Sequence, residues 1–163
     1  HIINKINEEK MLLEPSLIKT LFMKIIKEAK FRKKFRFSLK NITIMDNHIH
    51  MIIKMEQGES LSRLMQWIFS VFALRYNRRF NRKGHLWIDR FKSKLIETLS
   101  AYRAIFEYIC NNPVKAGIVK SAEDYIFGFW QLRGRHQLPD HSEGGAGGRS
   151  AGYLPLHGHH QAH

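Results

Sequence analysis

The chain has 163 residues, 44% of them hydrophobic, with a net charge of +13 from 27 Lys and Arg against 14 Asp and Glu. That is enough for one packed domain with a tail, and its surface suits a polyanion, nucleic acid first. No run approaches the roughly eighteen consecutive apolar residues of a membrane span and no signal-peptide pattern is present, so a membrane role is not expected; the single cysteine, Cys110, rules out an internal disulfide and points to a reducing, cytoplasmic setting. In residues 134–163 Arg135 and Arg149 are balanced by Asp140 and Glu143, so the whole positive excess sits on residues 1–133.

Residues 1–7, HIINKIN, read as a first strand; the chain opens on His1 rather than Met, so its natural start is expected upstream. Glu14-Pro15-Ser16 then opens a helix, with proline tolerated in the first turn. Leu17, Ile18, Leu21, Phe22, Ile25, Ile26 and Ala29 follow the three-four spacing of an amphipathic helix, which stops in the basic run Lys30 to Arg36. Lys34 to Met45 is a second strand whose apolar phase shifts from Phe35, Phe37 and Leu39 to Ile42 and Ile44. A bulge near Lys40-Asn41 is therefore expected. Asp46-Asn47 turns the chain into a third strand, so tightly that the two should form an antiparallel hairpin.

This third strand is the centre of the chain. Side chains alternate across a strand, so Ile49, Met51 and Ile53 share a core face while His48 and His50 share the other. Two imidazoles on one face can ligate one divalent cation; taken alone, the same pair reads more readily as ordinary sheet histidines. Ser60 is a plausible N-cap for a second helix marked by Leu61, Leu64, Met65, Ile68, Phe72 and Tyr76. Its far end is basic, with Arg75, Arg78, Arg79, Arg82 and Lys83, and Gly84 is expected to break it. His85 to Glu97 reads as a further strand, in which Arg90, Lys92 and Lys94 alternate with apolar residues. Charges for the phosphate backbone beside aromatics such as Phe91 suit single-stranded or hairpin DNA, although any one of these residues could simply be solvated. Trp67, Trp87 and Trp130 are expected in the core rather than as stacking platforms.

Ser100 can cap a third helix to about Asn111, with Pro113 disfavouring helix at Asn112. Tyr102, Ile105, Phe106 and Ile109 form its apolar stripe. Tyr108 and Asn112 stand one turn apart on one side, where a phenol and an amide oxygen face the same point. If that point lies over His48 and His50, the site holds a nucleophile and three neutral metal ligands. Otherwise Tyr108 is a half-buried helix tyrosine. Lys115-Ala116-Gly117 makes a turn, and the aromatic stretch from Tyr125 to Leu132 is expected to pack back on the body. From Gly134 no hydrophobic period survives, and seven of the eleven glycines and six of the ten histidines lie there, so 134–163 reads as a disordered tail.

The order β-α-β-β-α-β predicts an α+β fold of the split β-α-β, ferredoxin- or RRM-like kind: an antiparallel sheet with two helices on one face, and the third helix on the other, beside the histidines.

Four stretches carry a family likeness: IMDNHIHMII at 44–53, RYNRRFNRKGHLWIDRFKSKLIE at 75–97, YICNNPVKAGIV at 108–119 and AEDY at 122–125. With them the chain resembles the single-tyrosine HUH transposases, and more closely the REP-associated tyrosine transposases, over residues 1 to about 130. The resemblance implies that His48 and His50 are metal ligands, Asn112 the polar third ligand and Tyr108 the nucleophile; Tyr102, on the apolar stripe, is the weaker candidate. It also implies Mg²⁺ or Mn²⁺ as the ion, while imidazole ligands by themselves lean toward Mn²⁺ or zinc-like ions. Attack by Tyr108 on a phosphodiester would give a 5′-phosphotyrosine and a free 3′-OH, with water as the default base.

The function expected is that of a metal-dependent single-strand DNA endonuclease and strand transferase, working as a monomer or a homodimer. The alternative is a non-catalytic RRM-like nucleic-acid-binding module. The aromatic signature of RNA-recognition domains is absent, which counts against it. A replication or conjugation HUH endonuclease fits less well, because those are larger.

Overall fold

The computed structural model describes residues 1–6, 13 and 15–129; Trp130 and the expected tail 134–163 lie outside them. The elements run β1 (Ile2–Lys5), α1 (Ser16–Phe31), β2 (Phe37–Ile44), β3 (His48–Met55), α2 (Leu61–Arg79), β4 (Lys92–Ser93) and α3 (Leu99–Lys115), then a 3₁₀ turn at Ala122–Asp124. The four strands form one sheet in the order β2-β3-β1-β4, every pairing antiparallel. This is the expected α+β, split β-α-β arrangement.

One face of the sheet is the core. Ile2 of β1 and Ile49 and Met51 of β3 are buried with Phe22 and Ile25 of α1 and Ile68 and Phe72 of α2. The expected bulge is present. The β2–β3 register shifts between Leu39 and Asn41, so the inward set changes from Phe37 and Leu39 to Ile42 and Ile44. That shift sends Asn41 and Thr43 to the other face, where α3 lies. Thr43 is paired with His50.

Lys19 departs from the amphipathic pattern: it lies within α1 yet is 4% exposed. Its ammonium donates to Asp46 and to the Tyr125 hydroxyl at 2.9 Å, and that hydroxyl donates to the Ile44 carbonyl at 2.6 Å. Burial alone would lower the Lys19 pKa, but the hydrogen bonds to Asp46 and Tyr125 and the charge interactions with them together outweigh it and hold the ammonium above its ordinary value. The network ties α1, the β2–β3 turn and the segment after α3 together. As expected, that segment packs back: the Ile44 amide donates to the Phe127 carbonyl at 3.2 Å.

Three boundaries differ from expectation. The strand expected over 85–97 shrinks to Lys92–Ser93, with a Trp87–Ile6 bridge and backbone bonds from Ile88 to Lys5 and between Lys94 and His1. Leu86 is buried, and Trp87 turns in to pack on Phe69 and Phe72 and to donate to the Phe69 carbonyl at 3.1 Å, so the strand phase is broken by a core anchor. Trp67 packs against the core as well. Helix α2 closes at Asn81 rather than Gly84. Asn81 takes φ +48°, and the next amide, Arg82, reaches back to the Asn77 carbonyl at 2.8 Å. Helix α3 starts from Thr98, whose hydroxyl accepts from the Ala101 amide, and runs past Pro113 to Lys115. The Ile109 carbonyl, four residues before Pro113, has no proline N–H to accept from; it accepts the Thr43 hydroxyl at 3.0 Å instead. The helix ends at Gly117, φ +70°, with Gly117 and Ile118 amides bonded back to Val114 and Pro113.

No helix among the described residues is long and apolar enough to cross a membrane.

Candidate active site

Three elements meet on the face of the sheet away from the core. From β3 come His48, partly exposed, and His50, 1% exposed, with ring centroids 4.8 Å apart and planes nearly perpendicular. Helix α3 brings Tyr108, whose ring meets His50 edge-on at 5.5 Å while its own surface is 43% exposed. The placement of α3 has a local cause. Thr43 holds the Ile109 carbonyl, and Asn41 donates to the Phe106 carbonyl at 3.1 Å, so the two carbonyls flanking Tyr108 in the helix are tied to β2 beside His50. Strand β1 contributes Lys5, which pairs with His48 across the ladder, and just before the strand lies His1, whose ring is nearly parallel to that of His50 with centroids 5.3 Å apart.

The electrostatics favour neutral imidazoles. Burial, then His48 and Lys5, push the His50 pKa down to about 4. His48 is lowered as well, first by burial and then by Lys5, with Asp46 opposing. Neutral rings are what metal ligation requires. The His48 Nδ1 lies 2.6 Å from the Asn47 side-chain oxygen, an acceptor, so Nδ1 donates and Nε2 carries the lone pair. His50 Nδ1 faces His1 Nε2 at 3.1 Å, which again leaves Nε2 as the unengaged ring nitrogen. Among the described residues no group of three or more His, Cys, Asp or Glu side chains is placed to hold a metal ion. A third ligand from the described residues would therefore be of another type. Asn112, one turn beyond Tyr108, donates its amide N–H to the Tyr108 carbonyl at 3.0 Å, which leaves its oxygen for a cation. The donor set His48, His50 and Asn112 suits a divalent ion in ligand type. Lys115 places its ammonium 5.2 Å from the Tyr108 ring centre, so cations flank the site on both sides.

The eight basic residues expected to grip DNA divide into two sets. Arg75 is bidentate on Glu28 of α1, at 3.0 and 2.8 Å, within the helix layer. Arg78, Arg79, Arg82 and Lys83 follow at the end of α2, and Arg90 is exposed in the connection to β4. Lys92 pairs with Ile3, and Lys94 exchanges backbone hydrogen bonds with His1, so these two lie on the same face as His50. A groove of about 1490 Å³ runs along that face, lined by His1, Ile52, Lys54, Lys94, Tyr102 and Phe106 among others. His1 is the residue that sequence reasoning missed. The signal was available in the period of β1, since His1 and Ile3 share the face that Ile2 leaves.

A family model for IS200-like transposases matches residues 1–112, which include His48, His50, Tyr108 and Asn112. The chain belongs to the IS200-like transposase family. Among solved structures, this family member is similar to a REP-associated tyrosine transposase bound to a REP hairpin, with a TM-score of 0.68 and 21% identity over 93% of this chain and 91% of that one. A putative transposase from Deinococcus radiodurans R1 is more distant, with a TM-score of 0.49 and 15% identity over 68% of this chain and 86% of that one. No curated protein matches the IS200-like chain. The first likeness bears on the fold alone.

Proposed function

We propose that the chain cuts and rejoins single-stranded or hairpin DNA through Tyr108, beside a Mg²⁺ or Mn²⁺ ion held by His48, His50 and Asn112. The observation that carries this reading is the 5.5 Å contact between Tyr108, from a helix, and His50, from the sheet strand that also bears His48. The family match supports DNA processing, and the hairpin bound by the REP-associated relative supports hairpin DNA as the partner. The proposal includes a cytoplasmic location, where DNA and both ions are at hand.

In this mechanism the Tyr108 oxygen, deprotonated by water, attacks the phosphorus in line with the 3′ oxygen. The P–O3′ bond breaks, the 3′ oxygen takes a proton and leaves as a hydroxyl, and the 5′ phosphate stays on Tyr108. A divalent cation, when bound, supplies charge relief on the non-bridging oxygens. His48 and His50 stay neutral and offer their Nε2 lone pairs. Lys5 and Lys115 add positive potential for the phosphate, and Lys54 and Lys94 can follow the strand along the groove past Tyr102 and Phe106. The phosphotyrosine bond conserves the energy of the cut, so a second 3′-OH can reverse the step and join strands.

Incubation of the full chain with a labelled hairpin and Mn²⁺ tests this. The wild type should form a covalent adduct that survives denaturation, and Tyr108→Phe should form none. An adduct that persists in Tyr108→Phe refutes the assignment. DNA binding without any adduct, indifferent to metal and to His48→Ala, would instead favour a non-catalytic RRM-like module.

A further inference from the structure

We infer that His1 is a positioning residue for His50: its ring nitrogen accepts the His50 Nδ1 proton and so fixes the tautomer in which His50 can ligate a metal. The inference rests on the metal-site reading above but concerns a residue outside the ligand set.

Three observations carry it. First, His1 Nε2 lies 3.1 Å from His50 Nδ1, with the two rings nearly parallel at 16°. Second, the position of His1 is built. Its backbone nitrogen donates to the Lys94 carbonyl at 2.7 Å, and its carbonyl accepts from the Lys94 amide at 2.8 Å, so the β1–β4 ladder continues through it. Ile3 pairs with His50, which puts His1 one diagonal step along the same face. Third, His48 has an equivalent partner in Asn47, on its own Nδ1. Both ligand candidates are thus approached at Nδ1 and left open at Nε2.

The direction of the His1–His50 bond follows from tautomer chemistry. A neutral imidazole carries one proton. If His1 donated, His50 would hold its proton on Nε2 and have no lone pair there for a cation. If His50 donates, its Nε2 is free and His1 keeps its own proton on Nδ1. Only the second arrangement allows ligation through Nε2, and His1 is the sole acceptor in contact with His50 Nδ1 among the bonds of the described residues. A His1 ring that tilts away would remove the acceptor that keeps the His50 proton on Nδ1, and the ligating form would be only part of the population. Partners of this kind around ligating histidines are worth about 10–100-fold in metal affinity.

Two measurements on the full chain decide it. In the metal-free wild type, long-range ¹H–¹⁵N correlation should show the His50 proton on Nδ1; a proton on Nε2 overturns the inference without any variant. Mn²⁺ titration should then find affinity lowered about 10–100-fold in His1→Phe, which keeps an aromatic ring but no acceptor, and largely restored in His1→Gln, whose amide oxygen can accept. Wild-type affinity in His1→Phe, with a melting temperature showing it folded, also overturns it. His48→Ala and His50→Ala serve as the separate control. If both bind Mn²⁺ like the wild type, the metal-site reading fails, while the tautomer measurement still judges His1.

Discussion

The two faces of the sheet use the same strands for opposite purposes. Toward α1 and α2 the side chains are large, apolar and buried, and a charged pair between the helices, Arg75 with Glu28, is closed on itself. Toward α3 stand His48, His50, Asn41 and Thr43, the last two hydrogen-bonded to the helix backbone, with Lys5 and Lys115 at the margins. One face stabilises by removing apolar area from water. The other arranges donors and positive charge around a point that a phosphate could reach. Substitutions on the two faces should therefore separate stability from chemistry.

The largest effect is expected on the open face. His48→Gln should cut adduct formation by about 100-fold or more, equivalent to about 3 kcal/mol of barrier, with the urea midpoint unchanged. A drop in stability that matches the lost activity would erase the distinction between the faces. Next comes the core: Phe22→Ala should cost about 3–5 kcal/mol in urea unfolding, while the fraction still folded keeps wild-type activity per molecule. The Lys19 network offers a sharper asymmetry. Asp46→Ala strands a buried ammonium and should cost about 3 kcal/mol, whereas Lys19→Met, which removes that charge, should be closer to neutral. Equal costs for the two would mean that the ion pair itself, rather than an orphaned charge, sets the energy.

The smallest expected effect is at Arg75. Its side chain is 39% exposed, so Arg75→Gln should cost about 1 kcal/mol or less, and it should leave DNA affinity nearly unchanged because the guanidinium already serves Glu28. A large loss of DNA binding would return Arg75 to the DNA-gripping set. The pair also has a pH signature. The hydrogen bond from Arg75 is the main cause that holds the Glu28 carboxyl below its ordinary value of 4.5. A depressed carboxylate stabilises the fold fully above that value and loses its contribution as acid protonates it. Arg75→Gln should therefore differ from wild type in urea midpoint at neutral pH and converge with it on acidification.

Much of this division was legible in the sequence, for physical reasons. Period-two alternation in β3 separates Ile49 and Met51 from His48 and His50, and the phase change around Lys40-Asn41 marks the bulge that turns Thr43 toward α3. Helical spacing puts Tyr108 and Asn112 one turn apart. What stayed hidden depended on contacts distant in the chain. Proline rules stop α3 at Asn112, because they cannot know that Thr43 of another element satisfies the carbonyl that Pro113 leaves without a donor. Alternation extends β4 through Trp87, because it does not see the core that draws Trp87 inward. Lys19 reads as a surface lysine until Asp46 and Tyr125 are brought to it. His1 looks like a chain end until the β1–β3 register sets it beside His50.

The bond from Thr43 to the Ile109 carbonyl fastens the tyrosine-bearing helix to the sheet of its own polypeptide. For the proposed chemistry this makes the machinery self-contained: mixing a His50→Ala chain with a Tyr108→Phe chain should restore no cutting, since neither can lend its missing half to the other.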